Sequence, residues 1–126
     1  MDLKNYFENT QGRGILATAD FEGKVDIAVY SRPHVMDSET VAFIMRDRLT
    51  HHNLQSNPHA AYLFMEAGEA YAGKRLFLTK IREEKDTELV HKLRRRKYPD
   101  DQTEPLFLLF FHVEKSLPLI GPGEEI

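Results

Sequence analysis

The chain is 126 residues long, contains no cysteine and carries a net charge of −3. That length fits one domain over the whole of 1–126, able to bury roughly two-thirds of its unfolded surface. The missing thiols exclude disulfides, iron–sulfur clusters and thiolate metal sites, and the charge argues against general nucleic-acid binding. No apolar run approaches the ~20 residues that span a bilayer, so no membrane partner is expected. The opening MDLKNYFENT is acidic and lacks an apolar centre, so it is not expected to be a secretory signal. The absence of cysteine fits a reducing compartment, and the cytoplasm is the expected location.

MDLKNYFEN predicts a short helix, capped by Asp2, with Leu3, Tyr6 and Phe7 on one side. QGRG ends that helix with two glycines. Ile15–Asp20 reads as a short strand, and DFEGK as a turn with Gly23 at its tight point. In VDIAVYSRPHV, Val25, Ile27 and Val29 alternate with Asp26, Ala28 and Tyr30, the two-residue period of a strand. Pro33 has no donor, so this strand stops there or runs on as an edge. MDSET turns the chain into a compact buried strand, Val41–Met45. Thr50 is placed to cap a short helix through HHNLQS, which Asn57-Pro58 terminates.

AAYLFM is the next strand, EAGEAYAG a loop or hairpin tip, and KRLFLTKIREE a long strand. Asp86 then opens a helix running to about Tyr98, with Leu89, Val90 and Leu93 on one face. After the loop PDDQTEP, LFLLFFHVEKSLPLI forms the last strand, and the tail is polar. The expected fold is mainly β: six antiparallel strands with three short helices. Closing into a barrel removes the exposed edges that six such strands would leave.

Most chemical candidates fail on geometry. His51 and His52 are adjacent, so on a helix they point about 100° apart and do not converge on one ion. The other histidines, His34, His59, His91 and His112, are scattered, and no metal site is expected. The cations Arg94–Lys97 end a helix that begins with acids, which matches the helix dipole at about 0.3–1 kcal/mol per charge. Phosphate-binding glycine loops and nucleophile elbows are missing, and no general acid or base stands out. MRDRLTHHN is different: it sets Arg46, Arg48 and the Thr50 hydroxyl at the start of a helix. A helix N-terminus beside guanidinium groups is a recurring anion site. Spacing alone weighs that reading equally against solvated charges at a strand end.

The order of elements resembles the pyridoxamine 5′-phosphate oxidase-like family, the flavin-binding split β-barrels. The stretch that carries the resemblance is VAFIMRDRLTHHNLQSNPHAAYLFM, with Leu54 three residues before Asn57-Pro58. The likeness extends over roughly Ile15 to Gly121. It implies a homodimer holding FMN in a groove between subunits, with a small-molecule substrate. By position, Val29, Tyr30, Ser31 and Arg32 fall on the strand beside the flavin ring. Ile44, Met45, Arg46, Arg48, Leu49, Thr50 and His51 fall beside the ribityl chain and phosphate. Arg75 begins the strand that reaches in from the partner subunit.

The chain departs from the oxidases at telling places. Their Arg-Lys pair is Leu49-Thr50 here, with Arg46 and Arg48 as nearby replacements. The arginine that opens their ring strand is Ala28, with Arg32 the nearest substitute. The last strand runs into LPLIGPGEEI, where the oxidases continue into an extension that completes their substrate site. An FMN-dependent oxidoreductase of another substrate is therefore expected. Related barrels bind haem or a deazaflavin, or act as dimeric binding modules without turnover. For haem, His34, His51 or His112 would be asked for the axial ligand.

Overall fold

The computed structural model describes residues 2–94 and 104–121. The chain opens with helix α1 (Leu3–Asn9), where the Asp2 carboxylate accepts from the Asn5 N–H at 3.0 Å and caps the first turn. Strands β1 (Gly12–Ala19) and β2 (Val25–Tyr30) form a hairpin, its turn tied by the Asp20 carboxylate accepting from the N–H groups of Glu22 and Lys24. Strands β3 (His34–Val35) and β4 (Thr40–Met45) pair next, followed by helix α2 (Leu49–Ser56). The hairpin β5 (His59–Glu66) and β6 (Gly73–Lys85), helix α3 (Glu88–Leu93) and strand β7 (Phe107–Pro118) complete the chain.

All strands belong to one antiparallel sheet in the order β2-β1-β5-β6-β7-β4-β3. The described residues form seven strands, not the six expected. The extra one arises at Ser31–Pro33, where VDIAVYSRPHV breaks in two. Pro33 is fully buried and has no N–H for a ladder, so β2 and β3 part there and lie at opposite ends of the sheet. The sheet curls around a core of Leu16, Phe43, Tyr62, Phe64, Leu76 and Phe111, with Leu3 and Phe7 of α1 packed into it.

Strand β4 and the first part of β7, Phe107–Phe111, are buried on both faces, which is why VAFIM and LFLLFF read as unbroken apolar runs. One face, with Val41, Phe43, Phe107 and Phe111, lines the inside of the curled sheet, whose end strands β2 and β3 do not pair with each other, so the expected full closure is not reached among the described residues. On the other, Ala42, Leu108 and Phe110 pack with Val90, flanked by Leu89 and Leu93 of α3.

Several local expectations shift. Gly12 and Gly14 do not simply stop α1; they lie in β1, against the rings of Phe64 and Tyr62, where a side chain would collide. Thr50 lies inside α2 and Arg48 occupies the N-cap position, without a side-chain cap. Helix α3 is capped by the Thr87 hydroxyl rather than by Asp86, which has a positive φ of 51° and accepts from the Leu106 N–H. The expected continuation of α3 to Tyr98, the basic residues beyond Arg94 and most of PDDQTEP lie outside the described residues. Among those described, no helix is long and apolar enough to cross a membrane.

Candidate functional site

A cleft of about 750 Å³ opens where the two ends of the sheet approach each other. Strand β2 supplies Ala28, Val29 and Tyr30 to its wall, and the connector supplies Ser31 and Arg32. His34 of β3 and Phe43, Ile44 and Met45 of β4 face them. Arg46, Arg48 and Thr50 follow at the start of α2, with Gly12, Arg94 and Leu106 completing the lining.

Tyr62 shapes the β2 side. Its hydroxyl donates to the backbone carbonyls of Ser31 at 3.0 Å and Tyr30 at 3.3 Å, anchoring the point where β2 leaves the sheet. The close approach of this ring to β1 needs Gly14. The Tyr30 ring packs edge-on against Phe43. Burial pushes the Tyr30 phenol above its ordinary value, Asp26 adds to this, and a hydrogen bond with Thr50 opposes it. Thr50 is buried and its hydroxyl lies 3.5 Å from the Asp26 carboxylate.

The other end of the cleft is cationic. Arg46 and Arg48 both contact Glu104, with Nη1 of Arg46 3.2 Å and Nη2 of Arg48 2.8 Å from its two oxygens. Glu104 holds the Arg48 guanidinium more firmly protonated. The first turn of α2 begins here, and the first N–H groups of any helix have no partner within it. With Arg94 and Arg32 also lining the cleft, this region is basic although the chain is acidic overall.

Of the residues singled out from sequence, Val29, Tyr30, Ser31, Arg32, Ile44, Met45, Arg46, Arg48 and Thr50 come together around this cleft. Arg32 also fastens the end of α1, its Nη1 donating to the carbonyls of Phe7 and Thr10. Leu49, His51 and Arg75 do not line the cleft. Leu49 points to solvent. Arg75 donates to the carbonyls of Pro118 and Gly121.

His51 is buried behind α2. Its Nδ1 lies 2.9 Å from Asp47, its Nε2 3.0 Å from Glu83, and its ring stacks on Phe107 at 3.9 Å. Both ring nitrogens are thus engaged in joining α2 to β6. Desolvation alone would raise the Glu83 carboxyl, but hydrogen bonds from Gln55, Lys80 and His51 outweigh it and hold the group at about 2.

Arg94, Gly12 and Leu106 were not singled out as cofactor contacts, and His34 was named only as a candidate axial ligand for haem. Arg94 and Leu106 reach the cleft only through the packing of α3 on β4 and β7, which no local pattern signals. His34 follows Pro33 directly, and the break in the strand is the one local hint that it turns toward the opening.

Neither protein-family models nor curated protein sequences give a match to this chain. Solved structures do. An FMN-binding protein from Syntrophomonas wolfei subsp. wolfei superposes with a TM-score of 0.76 at 18% identity, over 96% of this chain and 86% of that one. A protein of the pyridoxinephosphate oxidase family from Clostridium acetobutylicum, related to general stress protein 26, gives 0.61 at 15% identity, over 93% and 87%. HutZ, the haem storage protein from Vibrio cholerae, gives 0.54 at 20% identity, over 90% and 89%. The chain has the split-barrel fold of the pyridoxamine 5′-phosphate oxidase-like proteins.

Proposed function

We propose that this protein binds FMN in the cleft between the ends of its sheet and works in the cytoplasm as a homodimeric oxidoreductase on a small-molecule substrate. The observation that carries the reading is the union of two features in one cleft: an edge strand along one wall and a pair of arginines at a helix start. Arg46, Arg48 and the first N–H groups of α2 would hold the phosphate, with the Thr50 hydroxyl, turned toward Asp26 and Tyr30, bracing the wall beside it. Strand β2 ends the sheet, so among the described residues one side of its backbone has no neighbouring strand. That side offers donors and acceptors to the polar edge of the ring. A cleft of about 750 Å³ is within the range of small-molecule sites. FMN, when bound, supplies hydride and one-electron chemistry, while the chain binds, orients and shields it.

A homodimer is supported by the outer face of β2. Val25, Ile27 and Val29 are 83%, 69% and 82% exposed, an apolar row on an edge strand. Through the strand register this row continues into Ile15 and Leu63, with Arg75 in line with them. A second subunit on this face would cover the row and bring its own Arg75 toward the cleft's margin.

The test is the visible spectrum of the purified protein, followed by acid release and identification of any chromophore. A yellow protein that releases FMN is the expected result. A colourless protein that fails to quench added FMN fluorescence sinks the reading and leaves a non-catalytic binding module. Haem is the second reading, favoured by His34 on the cleft wall and by a fold shared with a haem storage protein. A Soret band that is lost in His34→Ala would establish it. A deazaflavin would declare itself by its own absorption band and by its mass on release.

A further inference from the structure

Arg46 and Arg48 are held by one carboxylate that comes from far along the chain. Glu104 lies between α3 and β7, and its two oxygens reach one guanidinium each, at 3.2 and 2.8 Å. The contact with Arg48 spans 56 residues, so it is not a by-product of local geometry. A carboxylate spread across two guanidinium groups presents charged oxygens where a phosphate monoester would present its own. We infer that Glu104 is an internal counter-ion of the arginine pair, which an incoming phosphate must displace. The inference rests on the placing of a phosphate at Arg46 and Arg48.

The chemistry favours displacement. The Glu104 and Arg48 side chains are 42% and 63% exposed, so their ion pair is weakened by water and salt. A phosphate near its second ionisation carries more charge than a carboxylate and has three terminal oxygens to share. Glu104 stands outside the sheet, before β7 begins at Phe107, and the ladder does not pin it. Without an anion the two arginines would repel each other; with Glu104 they are neutralised in part until the ligand arrives. The carboxylate would also repel any phosphate that entered beside it. Removing its charge should therefore strengthen phosphate binding, whereas a residue that merely positions the arginines should weaken binding when removed.

The experiment measures melting temperature against inorganic phosphate, at constant ionic strength set with chloride, for the full-length wild-type protein and Glu104→Gln. The expected result is that Glu104→Gln reaches half its phosphate-induced shift at about three- to tenfold lower phosphate. Glu104→Asp, which draws the carboxylate back, should fall between the two and serves if the glutamine variant folds poorly. Equal or higher half-points in both variants, or no phosphate response in any protein, overturn the inference. FMN and riboflavin titrations on the same proteins separate this from the flavin reading. If phosphate behaves as expected but neither flavin binds, the counter-ion stands and the flavin falls. If FMN binds all three proteins equally and the phosphate half-points coincide, the flavin stands and the counter-ion falls.

Discussion

At Arg46 and Arg48, two guanidinium groups flank Asp47 and both face the cleft. A hydrogen bond to a charged group contributes ~1.5–3 kcal/mol, so losing one such bond should weaken binding about ten- to a hundredfold. Arg46 is the more sheltered, with 22% exposure against 63% for Arg48. Arg46→Ala should therefore lie toward the upper end of that range and Arg48→Ala toward the lower. Fluorescence titration checks this, with riboflavin as control: it lacks the phosphate and should bind all three proteins alike. An unchanged FMN affinity in both variants would place the phosphate elsewhere. Gly14 makes a different kind of prediction. An added Cβ would run into the Tyr62 ring, which is fully buried and anchors the carbonyls of Tyr30 and Ser31. Gly14→Ala should cost about 1–3 kcal/mol, read as a lower urea midpoint, and the strain should also disturb the cleft wall. The sequence alone could not assign this glycine, because the ring it accommodates belongs to β5, far along the chain.

The element that most depends on polar contacts is α2. It is joined to β1 by Asn53 donating to Thr18 at 3.1 Å, and to β6 by the cluster of His51, Gln55, Lys80 and Glu83. Glu83 carries the pH dependence. Its folded value of about 2 lies below the ordinary 4.5, so the folded state favours the ionised form. Its stabilisation is complete above pH 4.5 and is lost as pH falls toward 2. Glu83→Gln should cost about 1–2 kcal/mol at pH 7. Urea unfolding at several pH values should show the two curves converging below pH 4.5, whereas a constant gap would mean that the ionised carboxylate is not the source.

The order of elements was legible because its signals are local: the Asp2 cap, the Gly23 turn, the Asn57-Pro58 stop and the alternation in β2. What the sequence leaves hidden depends on distant partners. His51 sits beside the residues that line the cleft, yet Glu83 and Phe107 draw it to the other side of the helix. Arg48 rather than Thr50 stands at the N-cap because Thr50 is turned inward toward Asp26 and Tyr30.

On the scale of the whole molecule, the curled sheet exposes a continuous apolar row along β2, whereas Met65 of β5 and Ile81 of β6 are exposed singly. Along β2 the alternation seen in the sequence is present, but the apolar side faces outward, while Asp26, Ala28 and Tyr30 face in. Periodicity reveals that a strand has two faces and is silent on which one the sheet turns inward. An apolar row on an edge strand invites association through a neighbouring chain, and proteins that stay monomeric usually protect such edges with charge. Ile27 is central in the row and makes no part of the core, so Ile27→Asp should leave the fold of the subunit nearly intact. Sedimentation should then show a dimer for the wild type and a monomer for the variant, with similar circular dichroism. Val29 belongs both to this row and to the cleft lining, so subunit association and cofactor binding should be coupled. The monomeric variant should bind FMN at least tenfold more weakly, an effect of about 1.4 kcal/mol, although Ile27 does not line the cleft. A monomer that retained full FMN affinity would show that one subunit suffices to hold the flavin, and Arg75 would then have no part in binding it.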